Sequence, residues 1–77
     1  MKEKSKYLIA LGLQIRSIRK GRDLSQEQLA LKANIDRSYV GGIERGERNV
    51  SFLTLVKIAR TLNCEISDFT KNLINGQ

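Results

Sequence analysis

The stretch QEQLALKANIDRSYVGGIERG, residues 26–46, decides how this chain folds. Ser25 stands before it as an N-cap, and Gln28 completes a capping box. Leu24 and Leu29 flank the cap as a hydrophobic staple, which fixes the entry angle. Leu29, Ala30 and Ala33 share one face, so the spacing predicts a helix over 26–33. It stops at Asn34, a residue that tolerates the left-handed conformation closing many helices. The device then repeats. Asp36 is the next cap and Ile35 with Val40 the next staple, predicting a helix over 37–46 that Gly46 ends. Its inner stripe reads Val40, Ile43, Glu44 and Glu47.

On this second helix Arg37, Ser38, Gly41 and Gly42 face outward, with Tyr39 and Arg45 at the flanks. Each glycine costs a helix interior roughly 1 kcal/mol relative to alanine. Close approach to another surface is one reason to accept that cost. The surface is either a DNA backbone or groove wall, or another helix of the same molecule. The pair has helix-turn-helix spacing, in which the second helix enters the major groove. An αα-hairpin without a nucleic-acid role satisfies part of the pattern too.

Working outward, Leu8, Leu11, Ile15, Ile18, Arg19 and Arg22 keep a period near 3.6 and predict a helix over 6–20, ended by Gly21. Gly12 beside that stripe lets a neighbouring helix approach. Arg19 and Glu44 both fall on inner stripes, where an unpartnered charge is costly. An ion pair between them is expected; the alternative is two unrelated charges reaching water. Residues 1–5 read as a frayed basic end, with an arm touching phosphates as the alternative. Beyond residue 46, Glu47, Arg48, Asn49 and Val50 form a polar loop. Ser51 caps a helix over 52–62, stapled by Val50 and Leu55. Its stripe is Leu55, Ile58, Ala59 and Leu62, extended by Phe52, and Asn63 ends it. A last helix is expected over 67–74, capped by Ser67, stopped near Asn75 and Gly76, with Ile66, Phe69 and Leu73 on its apolar side. The fold class is therefore all-α: five short helices in one domain, without strand pattern, repeat or proline.

The chain has 77 residues, a formal net charge of +6, one cysteine and no histidine. A domain this small is marginal, and neither an internal disulfide nor a metal cluster is available to brace it. Pairing of two copies is the remaining common remedy. Phe52, Val56, Phe69, Leu73 and Ile74 are the candidate dimer patch; the alternative places all of them in the core. Such basicity suits a polyanion partner. No run is apolar and long enough to cross a membrane. Arg16, Arg19 and Lys20 interrupt what would follow a secretory start, so a reducing, cytoplasmic setting is expected. Cys64 reads as a small buried hydrophobe. No cofactor is expected, and catalysis is not: paired carboxylates, histidine and a phosphate-cradling glycine loop are all missing.

Residues 11–73 resemble the Cro and phage-repressor helix-turn-helix superfamily. More narrowly, DRSYVGGIERGERNVS followed by LVKIARTL is similar to the controller proteins of restriction–modification systems, small dimeric transcription regulators. The resemblance implies a lambda-repressor-like domain. It implies that Arg37, Ser38 and Tyr39 meet base edges, that Gln26, Arg48 and Asn49 meet phosphates, and that Arg19 and Glu44 form the structural ion pair. Ser25 and Arg45 complete the phosphate candidates, from a helix start and a flank. Gly42 departs from many phage repressors, which carry a long polar side chain there; one direct contact is lost, and DNA shape gains weight. Arg37 suits guanine O6 and N7, or alternatively a phosphate.

The implied partners are a palindromic double-stranded operator, a second copy of the chain and, through Glu47 or nearby acids, RNA polymerase. The implied role is autoregulation of a restriction–modification operon, activating at low occupancy and repressing at high. A prophage-type repressor or antitoxin autorepressor is the alternative within DNA binding. A protein-interaction module bridging coactivators is the alternative outside it.

Overall fold

The computed structural model describes residues 4–74, and their helices are α1 (Lys6–Gly21), α2 (Gln26–Ala33), α3 (Arg37–Glu44), α4 (Phe52–Leu62) and α5 (Ile66–Thr70). Their main packing contacts close a ring: α1 on α3, α3 on α2, α2 on α4, α4 on α5 and α5 on α1. Ile15, Leu29, Val40, Ile43, Ile58, Leu62 and Phe69 fill its centre and are almost wholly removed from water. Every helix contributes at least one of these residues, so one core is shared by all five.

Local chemistry sets the ends of α2 and α4. Ser25 Oγ accepts from the Gln28 N–H, and Gln28 Oε1 accepts from the Ser25 N–H, which completes the capping box. Ser51 Oγ accepts from the Thr54 N–H. Asn34 and Asn63 close the two helices in the left-handed region, with φ of 59° and 56°. Asp36 caps α3 by accepting from the N–H groups of Ser38 and Tyr39.

Four boundaries differ from the sequence reading. Ser5 is not frayed: its side chain accepts from the Tyr7 and Leu8 N–H groups and starts α1. Of the tail expected over residues 1–5, residues 1–3 lie outside the described residues. Gly21 is helical, and the reversal after α1 is made by Asp23, at φ 59°. The third helix stops at Glu44 rather than residue 46, because Gly46 turns left-handed at φ 77°. The Gly46 and Glu47 N–H groups then donate back to Ile43 O and Gly42 O, the six-to-one closure of a Schellman motif. Glu47 is thereby thrown out of the inner stripe and exposed. Finally, α5 is one turn long, and its cap is Glu65, two residues before the expected Ser67. Asp68 accepts the Glu65 N–H at 2.9 Å and sets that start. Asn72 breaks the chain direction at φ 72°, and the stop assigned to Asn75 and Gly76 lies outside the described residues.

Gly12 allows α1 and α3 to touch. A Cβ there would stand 2.3 Å from Ile43 O and 2.6 Å from Glu44 O. Ile9, one turn earlier, seals Gly46 in the same way. The first two turns of α1 thus clamp the end of α3.

Candidate nucleic-acid interface

The pose of α3 is fixed from beneath by a buried charge network. Arg19 Nε donates to Glu44 Oε2 at 2.7 Å, and its Nη2 donates to Glu44 Oε1 at 3.0 Å. Both side chains are withdrawn from water, and Arg19 Nη1 also donates to Leu24 O at 2.7 Å. The pair is bidentate, which suits a planar guanidinium. Every buried side-chain polar atom among the described residues has a partner. The network therefore ties α1, the turn before α2 and the end of α3 into one unit, where removing one partner costs about 3–5 kcal/mol.

Gln26 joins this network. Its Nε2 donates to Glu44 Oε1 at 3.0 Å. The amide has a second N–H, so it is left one donor at the start of α2. The N–H groups of Gln26 and Glu27 have no helical carbonyl to meet, and the positive end of the helix dipole lies there. Ser25 is exposed but its hydroxyl is engaged in the cap.

On the outer side, Arg37 and Ser38 are exposed at the first turn of α3, and Tyr39 is half-buried. The Ser38 hydroxyl donates to the Asp36 carboxylate. That bond and the Tyr39 N–H hold the Asp36 carboxyl below the ordinary range, so the cap stays charged. The hydroxyl oxygen of Ser38 keeps its acceptor capacity.

The glycines require a correction. Gly41 and Gly42 do not face open solvent; both are buried, and arginine side chains cover them. A Cβ at Gly41 would meet Arg45 Nη1 at 3.1 Å and Arg37 Nη1 at 3.3 Å. A Cβ at Gly42 would meet Arg48 Cγ at 2.7 Å. The Arg48 guanidinium continues over the Tyr39 ring, 5.1 Å from its centroid, in cation–π range. The two glycines are thus a floor on which three arginines lie, with Gln26 Oε1 of α2 beside them, 3.5 Å from where a Cβ at Gly41 would stand. Arg45, Arg48 and Asn49 are exposed.

The apolar candidates separate into two groups. Phe69 is fully buried and belongs to the core, not to a dimer patch, because one turn of α5 points it at the ring's centre. Phe52 and Ile74 are exposed, at 64% and 81%, while Val56 and Leu73 are half-buried. Leu53, at 71% exposed, belongs with Phe52 and was missed; it sits off the stripe that Leu55 and Ile58 define. The meeting of Lys4 with Glu47 and with Arg45 O was not foreseen, since no local pattern pairs residues so far apart. Cys64 is half-buried, and burial pushes its thiol up, away from reactivity. No group of residues able to hold a metal, and no helix able to cross a membrane, occurs among the described residues.

The HTH_3 helix-turn-helix family model matches residues 15–69. The chain is 46% identical over 52 residues to the control protein C.SmaI of Serratia marcescens, spanning 68% of this chain and 62% of that one. It is also 46% identical over 59 residues to the immunity repressor of Bacillus phage phi105, spanning 77% of this chain and 41% of that one. Among solved structures, the controller protein C.Esp1396I, crystallised as a tetramer with its natural 35 base-pair operator, superposes with a TM-score of 0.81. Identity there is 36%, over 94% of this chain and 95% of the other. This chain belongs to the HTH_3 helix-turn-helix family of DNA-binding regulators and, within it, is similar both to controller proteins of restriction–modification systems and to a phage repressor. Its relatives are named as regulators, not as enzymes.

Proposed function

We propose that this chain, acting as a single DNA-binding domain without cofactor or catalysis, reads a palindromic operator as a homodimer and controls a restriction–modification operon from the cytoplasm. The observation that carries the reading is the polar start of α3, exposed and rimmed by Arg37, Arg45 and Arg48 above a glycine floor. In this reading Arg37 addresses a guanine edge bidentately, and Ser38 and Tyr39 make the weaker base contacts. Ser25, Gln26, Arg45, Arg48 and Asn49 hold phosphates, with the free N–H groups of α2 aimed at one of them. Two copies related by a two-fold axis would set their α3 helices about 34 Å apart.

Occupancy of one site by a dimer would activate the chain's own gene and that of the endonuclease, and a second dimer would repress both. Exposed acids such as Glu47 offer RNA polymerase a contact. The C.Esp1396I tetramer on its operator supports the two-dimer form of this reading.

The test is a footprint and gel-shift titration on the DNA upstream of the gene, at graded protein concentration. Two successive occupied states are expected. Arg37→Ala should cost about 1–3 kcal/mol of discrimination and relax the sequence preference at one position of each half-site. Normal operator binding by that variant would instead favour a protein-bridging module. The identity with the phage repressor favours a second reading, a prophage-type repressor. A methyltransferase and an endonuclease next to the gene support the controller; phage genes there support the repressor.

A further inference from the structure

A carboxylate stands inside the basic rim of α3. Glu47 Oε1 accepts from Arg45 Nε at 3.0 Å, and Glu47 Oε2 lies 3.4 Å from Lys4 Nζ. Lys4 Nζ also donates to Arg45 O at 3.2 Å, so the residue just before the α1 cap reaches the end of α3. The three side chains are about half exposed, open to an arriving ligand. Glu47 holds Arg45 by Nε, and Arg45 Nη1 and Arg37 Nη1 both lie over Gly41. Two guanidiniums that close repel each other, and a carboxylate bound to one offsets the repulsion. Arg45, and then Lys4, keep the Glu47 carboxyl below the usual range, so it is charged at neutral pH.

We propose that Glu47 sets the specificity of the DNA interface: it holds Arg45 beside Arg37, and it suppresses attachment to DNA of arbitrary sequence by neutralising Arg45 and Lys4. This rests on the DNA-binding reading above. Non-specific binding comes almost wholly from cations displacing the counterions of phosphates. A carboxylate next in sequence to Arg48 subtracts from that term on every duplex alike. The operator recovers the loss, because an Arg45 already ordered beside Arg37 has less freedom to lose there. A random duplex has no matching base edge for Arg37 and recovers nothing.

The experiment compares the full chain with Glu47→Gln on its own upstream operator and on a shuffled duplex of equal length, by fluorescence anisotropy across a salt series. On the shuffled duplex the variant should bind about three- to tenfold tighter at low salt, with a salt slope steeper by about one. Operator affinity should rise less, so the ratio of the two affinities falls. An unchanged ratio overturns the proposal, whether both affinities stay put or both rise together. An Arg45→Ala background tests whether Glu47 acts through Arg45: there Glu47→Gln should shift the ratio less, and a full-sized shift overturns the part of the proposal that runs through Arg45. A wild-type chain that ignores its operator is a separate result, which removes the DNA reading and this proposal with it.

Discussion

Gly42 lies under the stem of Arg48, and Gly12 lies under the backbone of Ile43 and Glu44. The same residue type is there for opposite reasons, and the difference sets what each tolerates. An Arg48 stem can swing away; a helix backbone cannot. Gly42→Ala should therefore leave folding stability unchanged or raise it by up to about 1 kcal/mol, since alanine favours the helix. Its cost should fall on operator affinity, because Arg48 leaves its seat over the Tyr39 ring. Urea melts beside gel shifts on the same preparation would separate the two effects. A variant that melts clearly earlier would mean that Gly42 clears space for the fold, not for the interface. At this scale the residues Arg37, Ser38, Tyr39, Arg48 and Asn49 are legible in the sequence as a polar set. The cover of Arg37, Arg45 and Arg48 over Gly41 and Gly42 is not, because side-chain conformation decides it and, for Arg48, so does the left-handed turn at Gly46.

Between elements, the decisive contact is α1 on α3. Gly12→Ala would gain about 1 kcal/mol of helix propensity. It would also drive a methyl group against two carbonyls that the Arg19–Glu44 pair holds in place. Overpacking of this kind costs about 1–3 kcal/mol, so we expect a net loss of stability and a lowered Tm. Equal or greater stability in chemical denaturation would mean that the two helices part at little cost. The helices with strong local signals, α2 and α4, have the ends the sequence indicates, since a serine cap and a left-handed asparagine bound each one. The ends of α3 and α5 do not. Gly46 turns the chain before the expected stripe reaches Glu47, Asn72 does so before Leu73, and packing against α1 sets where those turns fall.

Over the whole molecule, the apolar residues divide between inside and outside in a way that helical periodicity cannot assign. Phe69 and Phe52 illustrate this. Phe69→Ala should cost about 3–5 kcal/mol and bring this small domain close to unfolding. Phe52→Lys should leave the monomer's fold intact, because the ring is already 64% exposed. If Phe52 and Leu53 meet a second copy, the lysine variant should sediment as a monomer and lose operator affinity. A Phe52→Lys dimer as stable as the wild type would move the pairing surface elsewhere, to Ile74 or to the outer face of α1.

The sequence by itself determined the helical class, the capped helix–turn–helix unit and the polar residues at the start of α3, because caps, turns and 3.6-residue periodicity act over a few residues. It also gave grounds for joining Arg19 to Glu44, since two buried charges of opposite sign each require a partner. Only the tertiary structure decided that Phe69 is core and that Lys4 and Glu47 meet beside Arg45. Those facts depend on the closure of the ring of helices, which brings together residues tens of positions apart, and no local pattern encodes such a meeting.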